Sequence, residues 1–256
     1  MIESRGVTRV YTSGPVEVAA LKDIDLFIAS GEMVAIMGPS GCGKTTLLNC
    51  LSGLDEVTSG EIVVEGTSLA KMSDADRTRY RARRMGFIFQ AFNLLPVFSA
   101  VENAELPMLL VGERAKEARR RSMQALEIVG LSPRAAHRPA ELSGGEQQRV
   151  AIARAIAHGP AVLWADEPTG NLDTENASMI IDLLVRLNRE TGLTVVMVTH
   201  DPVIGSRANR VITMKDGRII VAEDLPEDEP TEEAPAEVAK PKSKPKPKKV
   251  SSRKRS

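Results

Sequence analysis

Aromatic side chains are scarce in this chain: five phenylalanines, two tyrosines and one tryptophan make up 3% of its 256 residues. Hydrophobic residues still reach 42%, so a real core is available, and the length suits one large domain or two small ones. No apolar run approaches the roughly 18–20 residues that a membrane-spanning helix requires, which argues against an integral membrane segment. The N-terminus lacks the charged, apolar and small-residue order of a secretory signal. Cysteine is nearly absent, with only Cys42 and Cys50. Eight positions apart on one helix, they would stand about 12 Å apart by helical rise, too far for a disulfide. They read as small helix residues in a reducing cytosol. Net charge is absent too, 34 basic residues against 34 acidic, so the overall balance suggests no nucleic-acid partner. There is no internal repeat and no heptad run.

What the chain does have is Gly38-Pro39-Ser40-Gly41-Cys42-Gly43-Lys44-Thr45-Thr46, which satisfies G-x-x-x-x-G-K-[ST] with an extra glycine at Gly41. The apolar run Met33-Val34-Ala35-Ile36-Met37 precedes it with strand character, and Leu47-Leu48-Asn49-Cys50-Leu51 follows as the first turns of a helix. Strand, glycine loop and helix in that order are the context the pattern needs. Glycines let the backbone curl so that successive N–H groups point at phosphate oxygens, and the new helix adds its free amides and the positive end of its dipole. Lys44 would reach the β- and γ-phosphates, and the Thr45 hydroxyl would hold Mg²⁺. The loop is read as a site for a nucleoside triphosphate.

Around this loop, residues 2–12 and 16–29 alternate apolar and polar residues about Ser13-Gly14-Pro15, which predicts a strand pair with a turn. Leu21-Lys22-Asp23-Ile24-Asp25-Leu26 is read as a half-buried strand of period two. Glu61-Ile62-Val63-Val64 is another strand. Residues 74–84 form a charged helix opening near Ser73 and Asp74, with arginines on a solvated face. Gly86-Phe87-Ile88-Phe89 is a short buried strand ending at Gln90. Residues 91–158 then change character: 101–110 and 113–129 have helical spacing, with Gly112 and Gly130 as stop signals. Helices of ordinary length make this an insert of about 65 residues between strands of one α/β domain. Residues 161–165 return to a buried strand, and a helix over 175–190, a strand over 194–198 and a final strand pair complete the alternation of a mainly parallel sheet. From Leu225 on, prolines and charges replace apolar periodicity, acidic from Glu227 to Glu237 and basic from Lys240 to Arg255. Such a tail forms no core and is expected to be disordered.

Four further constellations sharpen the reading. Leu142-Ser143-Gly144-Gly145-Glu146-Gln147-Gln148-Arg149 opens a helix, and a serine and two glycines at a helix start make a second anion-binding N-terminus. Val162-Leu163-Trp164-Ala165-Asp166-Glu167 is an apolar strand ending in two carboxylates. Asp166 would bind Mg²⁺ through water and Glu167 would polarise the attacking water. Gly170-Asn171-Leu172-Asp173 follows, and His200 stands just past the strand over 194–198.

Together and in this order these stretches resemble the nucleotide-binding domain of the ATP-binding cassette (ABC) family, over about residues 2–222. The stretch 142–148 matches the family's own signature; the phosphate loop alone is shared with many NTPases. The resemblance implies an α/β fold: a P-loop NTPase core of mainly parallel sheet with an antiparallel β subdomain, plus an inserted helical subdomain at about 91–158. The domain would span 1–224 and the charged tail 225–256. The resemblance also implies that Tyr11 stacks on the adenine of ATP, and that Gln90 contacts Mg²⁺ and the attacking water. By the same match, Ser143 and Gly145 bind the γ-phosphate held by the opposite subunit, Asp173 helps form the dimer seam, and His200 contacts the γ-phosphate.

Gly53-Leu54-Asp55, Phe89-Gln90-Ala91-Phe92-Asn93-Leu94-Leu95-Pro96, Glu102-Asn103 with Leu106-Pro107, and the stretch 166–173 look like the lipoprotein-releasing and macrolide-exporter ATPases, with the cell-division ATPase close by. Trp164 is bulky for its strand, and the Lys-Pro tail has no counterpart in that pattern. The resemblance therefore implies an ATP-hydrolysing subunit, peripheral to the cytoplasmic face of the cell membrane. It would pair head to tail with a second copy around ATP and drive a separate membrane permease. The sequence leaves open a regulatory role, in which the same ATPase controls a cell-wall enzyme through a membrane partner. A soluble ABC ATPase acting on nucleic acid or ribosomes usually carries two cassettes or a long coiled-coil insert, and this chain has neither.

Overall fold

Alternating apolar and polar residues fold the start of the chain into a long antiparallel hairpin, β1 (Ile2–Ser13) and β2 (Val16–Ile28). The structure is a computed structural model that describes residues 1–224; the tail expected at 225–256 lies outside the described residues. Strict alternation would put Leu21 and Ile24 on opposite faces of β2, yet both are buried. The pairing with β1 slips between Val7 and Arg9, and Asp23 takes a left-handed φ of 55°. This bulge turns Ile24 back to the side of Leu21, so the stretch is not the simple period-two strand that its sequence suggests. The hairpin is extended by β4 (Ser59–Val64) and β5 (Thr67–Ser68) into an antiparallel sheet ordered β2-β1-β4-β5.

The second sheet has six strands. Strands β3 (Met33–Met37), β7 (Val162–Asp166) and β8 (Thr194–Val198), and β6 (Met85–Phe89) at one edge, are short continuous apolar runs, as expected for strands covered on both faces. With β9 (Arg210–Lys215) and β10 (Arg218–Asp224) the order is β10-β9-β3-β8-β7-β6, parallel throughout except for the β9–β10 hairpin. Successive side chains sort the core into two layers. Ala35, Ile88, Leu163, Ala165, Val195 and Met197 pack toward helices α3 (Ala100–Leu110), α4 (Ala115–Ile128), α5 (Gly144–Ile156) and α6 (Thr174–Thr191). Val34, Ile36, Val162, Trp164, Val196 and Val198 pack with α1 (Lys44–Leu51) and the inner residues of the antiparallel sheet.

The helix ends follow their sequence signals. Ser73 caps α2 (Asp74–Arg84) by accepting from the Asp76 amide, and Ser99 and Glu102 form a reciprocal cap at α3. The arginines of α2 are less free than a solvated face implies: Arg77 pairs with Glu56 and Asp74, Arg84 with Glu65, and Arg81 donates to the Gly53 carbonyl. α3, α4 and α5 lie between β6 and β7, where the helical insert is predicted. α5 is bound into the sheet's own core through Val150, Ile152, Ala153 and Ala155. Cys42 sits in the loop before α1, not on the helix with Cys50. Both are buried free thiols, and burial pushes the Cys50 thiol up to about 12.

One row of Cα partners positions the site. Phe89 pairs with Asp166, Asp166 with Val198, and Val198 with Ile36. The residues just beyond that row are Gln90, Glu167, Thr199 and Met37, so four loops leave the sheet along one edge at the carboxyl ends of its strands, the usual ligand edge of such sheets.

Candidate active site

The loop 38–43 leaves β3 at this edge and α1 begins at Lys44. At Gly43 a side chain is impossible: φ is +103°, and an added Cβ would lie 2.5 Å from the Ala20 carbonyl oxygen of β2. The loop is therefore pressed onto β2. It is stitched from a third side by the β9–β10 turn, where the Gly217 amide donates to the Cys42 carbonyl and the Lys22 amide to the Gly217 carbonyl. Ser40, Gly41, Gly43, Lys44, Thr45 and Thr46 line a cleft of about 650 Å³, together with Val18, Ala19, Ala20, Lys22, Glu167, Asp216 and Gly217. Lys44 is buried, and its ammonium donates to the carbonyls of Gly38 at 2.8 Å and Pro39 at 3.0 Å. This holds the charge inside the loop rather than in solvent.

Asp166, last residue of β7, accepts a hydrogen bond from the Thr45 hydroxyl at 3.1 Å. Burial raises the Asp166 carboxyl above its usual range, the neighbouring Glu167 adds to the rise, and the Thr45 hydroxyl offsets part of it. Glu167 has a left-handed φ of 49°, a strained conformation for a residue with a side chain. Its amide is tied to the Val198 carbonyl at 3.0 Å. Its carboxylate meets His200 Nδ1 through both oxygens, at 3.0 and 2.9 Å. Glu167 also borders a second cleft of about 340 Å³, lined by Leu172, Ile181 and Ile204 among others.

Gln90 stands at the end of β6 and is exposed. Asn171 donates to its carbonyl at 2.9 Å, and its own amide donates back to Asn171 Oδ1 at 3.4 Å. In the loop beyond it, Phe92 and Asn93 both take left-handed φ, 58° and 50°. The guanidinium of Arg154, from α5, donates to both of their carbonyls. Tyr11 is held by its hydroxyl, which donates to Asp55 Oδ2 at 2.5 Å, and Arg9 lies 4.5 Å over its ring. It is outside the lining of the phosphate-loop cleft.

The signature residues form a separate group. Ser143 caps α5: its hydroxyl accepts from the Glu146 amide at 3.2 Å, and its own amide donates to the Glu146 carboxylate at 2.8 Å. That backbone bond holds Glu146 below the usual carboxylate range. Gly145 packs so closely on α6 that a Cβ would lie 2.2 Å from Asn176 Oδ1. Asp173 caps α6 and accepts from both the amide and the side chain of Asn176, each at 2.8 Å. Thus Gly145, two residues after the Ser143 cap, and Asp173 meet around Asn176, while Lys44, Thr45, Asp166, Glu167 and His200 gather at the phosphate loop. Among the described residues, no hydrogen bond joins Ser143 or Gly145 to the phosphate loop of the same chain.

The sequence assigns no role to Asn171, Arg154, Asp55, Gly217 or Gln148, which bond site residues or the segments beside them. Only Gln148 carried a usable signal. It shares the buried stripe of α5 with Ile152 and Ala155, at the spacing of one helix face, where a polar side chain needs a reason.

Comparison with known proteins agrees with this geometry. The family model described as ABC transporter matches residues 21–170. The chain is 48% identical over 221 residues to an uncharacterized ABC transporter ATP-binding protein of Methanocaldococcus jannaschii, covering 86% of this chain and 98% of that protein. It is 45% identical over 223 residues to the lipoprotein-releasing system ATP-binding protein LolD of Legionella pneumophila, covering 87% and 98%. Among solved structures, the dimeric post-hydrolysis state of the ATP-binding cassette MJ0796 bound to ADP and Pi superposes with a TM-score of 0.82 at 42% identity. That match covers 89% of this chain and 100% of the other.

Proposed function

The chain belongs to the ABC transporter family as an ATP-hydrolysing cassette, and from that premise we propose that it powers a lipoprotein-releasing type of transporter from the cytoplasmic face of a membrane, through a separate permease. The observation that carries the chemistry is the Phe89–Asp166–Val198–Ile36 row, which delivers Gln90, Glu167, His200 and the phosphate loop to one edge. Identity to LolD supports the transporter type.

In this reading the loop amides of 38–46 and the start of α1 bind the triphosphate, and Lys44 exchanges its two carbonyl partners for phosphate oxygens. Tyr11 stacks on adenine, its ring already fixed by Asp55 and Arg9. Thr45 and Asp166 fit Mg²⁺: a hydroxyl and a carboxylate, both hard oxygen donors, converge at 3.1 Å, and burial leaves Asp166 short of a cation. Among the described residues no cluster of three or more acidic, histidine or cysteine side chains would hold a metal alone. That suits an ion that keeps phosphate and water oxygens as most of its ligands. When bound, Mg²⁺ neutralises charge on the transferring phosphoryl group. Glu167 polarises the attacking water. His200 holds the Glu167 carboxylate through Nδ1, which leaves Nε2 for the γ-phosphate. Gln90 reports from its loop to the same water and metal.

Ser143, Gly145 and the start of α5 bind the γ-phosphate held by a second copy, and Asp173 lies at that seam. The permease docks on the segment 90–101. Leu94 packs into the core there, whereas Leu95 and Val97 are 45% and 69% exposed. No helix among the described residues is long and apolar enough to cross a membrane, so work on a membrane substrate needs that partner. Co-purification in detergent tests the reading: the chain should retain an integral membrane partner, and Leu95→Asp with Val97→Asp should release it without loss of ATP hydrolysis. A chain that never retains a membrane protein would contradict the transporter assignment.

A further inference from the structure

Gln148 is fully buried in the second turn of α5. Its side-chain amide donates to the carbonyl of Pro168, the residue next to Glu167. Its other atom, Oε1, is buried with no hydrogen-bond partner among the described residues. Burying that orphaned acceptor costs stability, which the one bond to Pro168 offsets only in part. The amide is therefore better explained by what it holds.

What it holds is the strained turn that aims Glu167. That residue has φ of 49° and precedes a proline, which narrows its backbone choices further. Two backbone bonds fix the turn, from the Glu167 amide to the Val198 carbonyl and from the Gly170 amide to the Glu167 carbonyl. Besides His200 on the Glu167 carboxylate and Asn171 on Gln90, Gln148 is a side chain that ties this turn to another element, α5. One helical turn before Gln148, on the same side of α5, are Gly144 and Gly145. Gly145 lies against Asn176 of α6, and the site of a Gly144 Cβ is 3.7 Å from Leu172, so the start of α5 touches the segment after Glu167 at Leu172 as well as at Pro168.

We propose that Gln148 is a positioning residue that makes the placement of Glu167 depend on the seating of α5. This rests on the reading of Glu167 as the water-polarising group and of Ser143 and Gly145 as the site for the partner copy's nucleotide. In the head-to-tail pair, α5 then responds to one nucleotide while Glu167 acts on the other. The Gln148–Pro168 bond carries the occupancy of one site to the hydrolytic geometry of its twin.

Gln148→Met keeps the side chain's length and removes the N–H. In the full chain its Tm should stay within a few degrees, because the orphaned acceptor is removed together with the donor to Pro168; its KM for ATP should stay within about twofold, and its kcat should fall by about 10- to 100-fold, the scale of a small misplacement. The Hill coefficient for ATP should fall toward one, and ATP-driven pairing should persist in Glu167→Gln/Gln148→Met. Gln148→Glu supplies a second test. A buried carboxyl is held neutral by its surroundings, so as pH falls it gains an O–H donor for the Pro168 carbonyl. Its kcat, taken as a fraction of the wild-type kcat at the same pH, should recover as pH falls. An unchanged kcat in Gln148→Met, or a loss of kcat accompanied by a Tm drop of more than a few degrees and failed pairing, would overturn the proposal; if Gln148→Met does not fold, the absence of pH-dependent recovery in Gln148→Glu overturns it. Normal turnover in Glu167→Gln would instead overturn the reading on which it rests.

Discussion

Asp166 illustrates how a single residue trades stability for chemistry. Its folded pKa is raised by burial, so its contribution is favourable below the ordinary value near 3.8 and is lost as pH rises through the folded value. At pH 7 the ionised carboxylate is therefore a net burden without a cation beside it. Asp166→Asn should raise the Tm of nucleotide-free protein at pH 7, with the gain shrinking as pH approaches 4, and should abolish Mg²⁺-dependent hydrolysis. Thermal scans at several pH values, alongside phosphate release, check both halves. In the proposed reading Glu167 carries the chemistry itself. Glu167→Gln should keep ATP binding while turnover falls by about 10²–10⁴, whereas Lys44→Ala should weaken ATP binding. Equilibrium binding and single-turnover hydrolysis separate the two.

At the scale of elements, α5 holds together parts that are distant in sequence. Arg154 is largely buried, which lowers its pKa, and it spends its donors on the two left-handed residues after Gln90. Arg154→Met removes the donor from those partly solvated carbonyls, at a cost of about 0.5–1.5 kcal/mol, and should lower the Tm by a few degrees while loosening the Gln90 loop to proteolysis. Beyond the end of α5, His158 Nε2 lies 3.1 Å from the Met85 carbonyl and so must carry the proton. Burial lowers its pKa from 6.5, so its stabilisation is complete above that value and is lost as pH falls below it. His158→Gln keeps a donor and removes the titration, so Tm should decline less between pH 7 and pH 5. These ties also mark where sequence stops being legible. The buried strands announce themselves as apolar runs, and the start of α2 as a local cap at Ser73. The bulge at Asp23 does not, because it is set by register against another strand. Arg154 reaches across 61 and 62 positions, and Gln148 across 20, and no local pattern encodes such pairings.

At the largest scale, the described residues hold two separate groups, one at the phosphate loop and one at the starts of α5 and α6. The phosphate-loop residues were legible because each lies within a contiguous motif: Gly38–Thr46, Asp166–Glu167, and His200 after its strand. Their convergence follows from parallel strands in register, which the alternation of strand and helix implies. That Ser143 and Gly145 stand apart from the same chain's loop was legible only as a puzzle, a second anion site with no use inside one chain. The account resolves it by pairing two copies, and light scattering on Glu167→Gln tests this most directly. Ser143→Arg forfeits the α5 cap, a loss of about 0.5–2 kcal/mol, too small to unfold a domain of ordinary stability. The account predicts that Glu167→Gln is a dimer with ATP and a monomer with ADP, and that adding Ser143→Arg leaves a folded monomer in both. An ATP-bound dimer indifferent to Ser143, or no dimer at all, would contradict it.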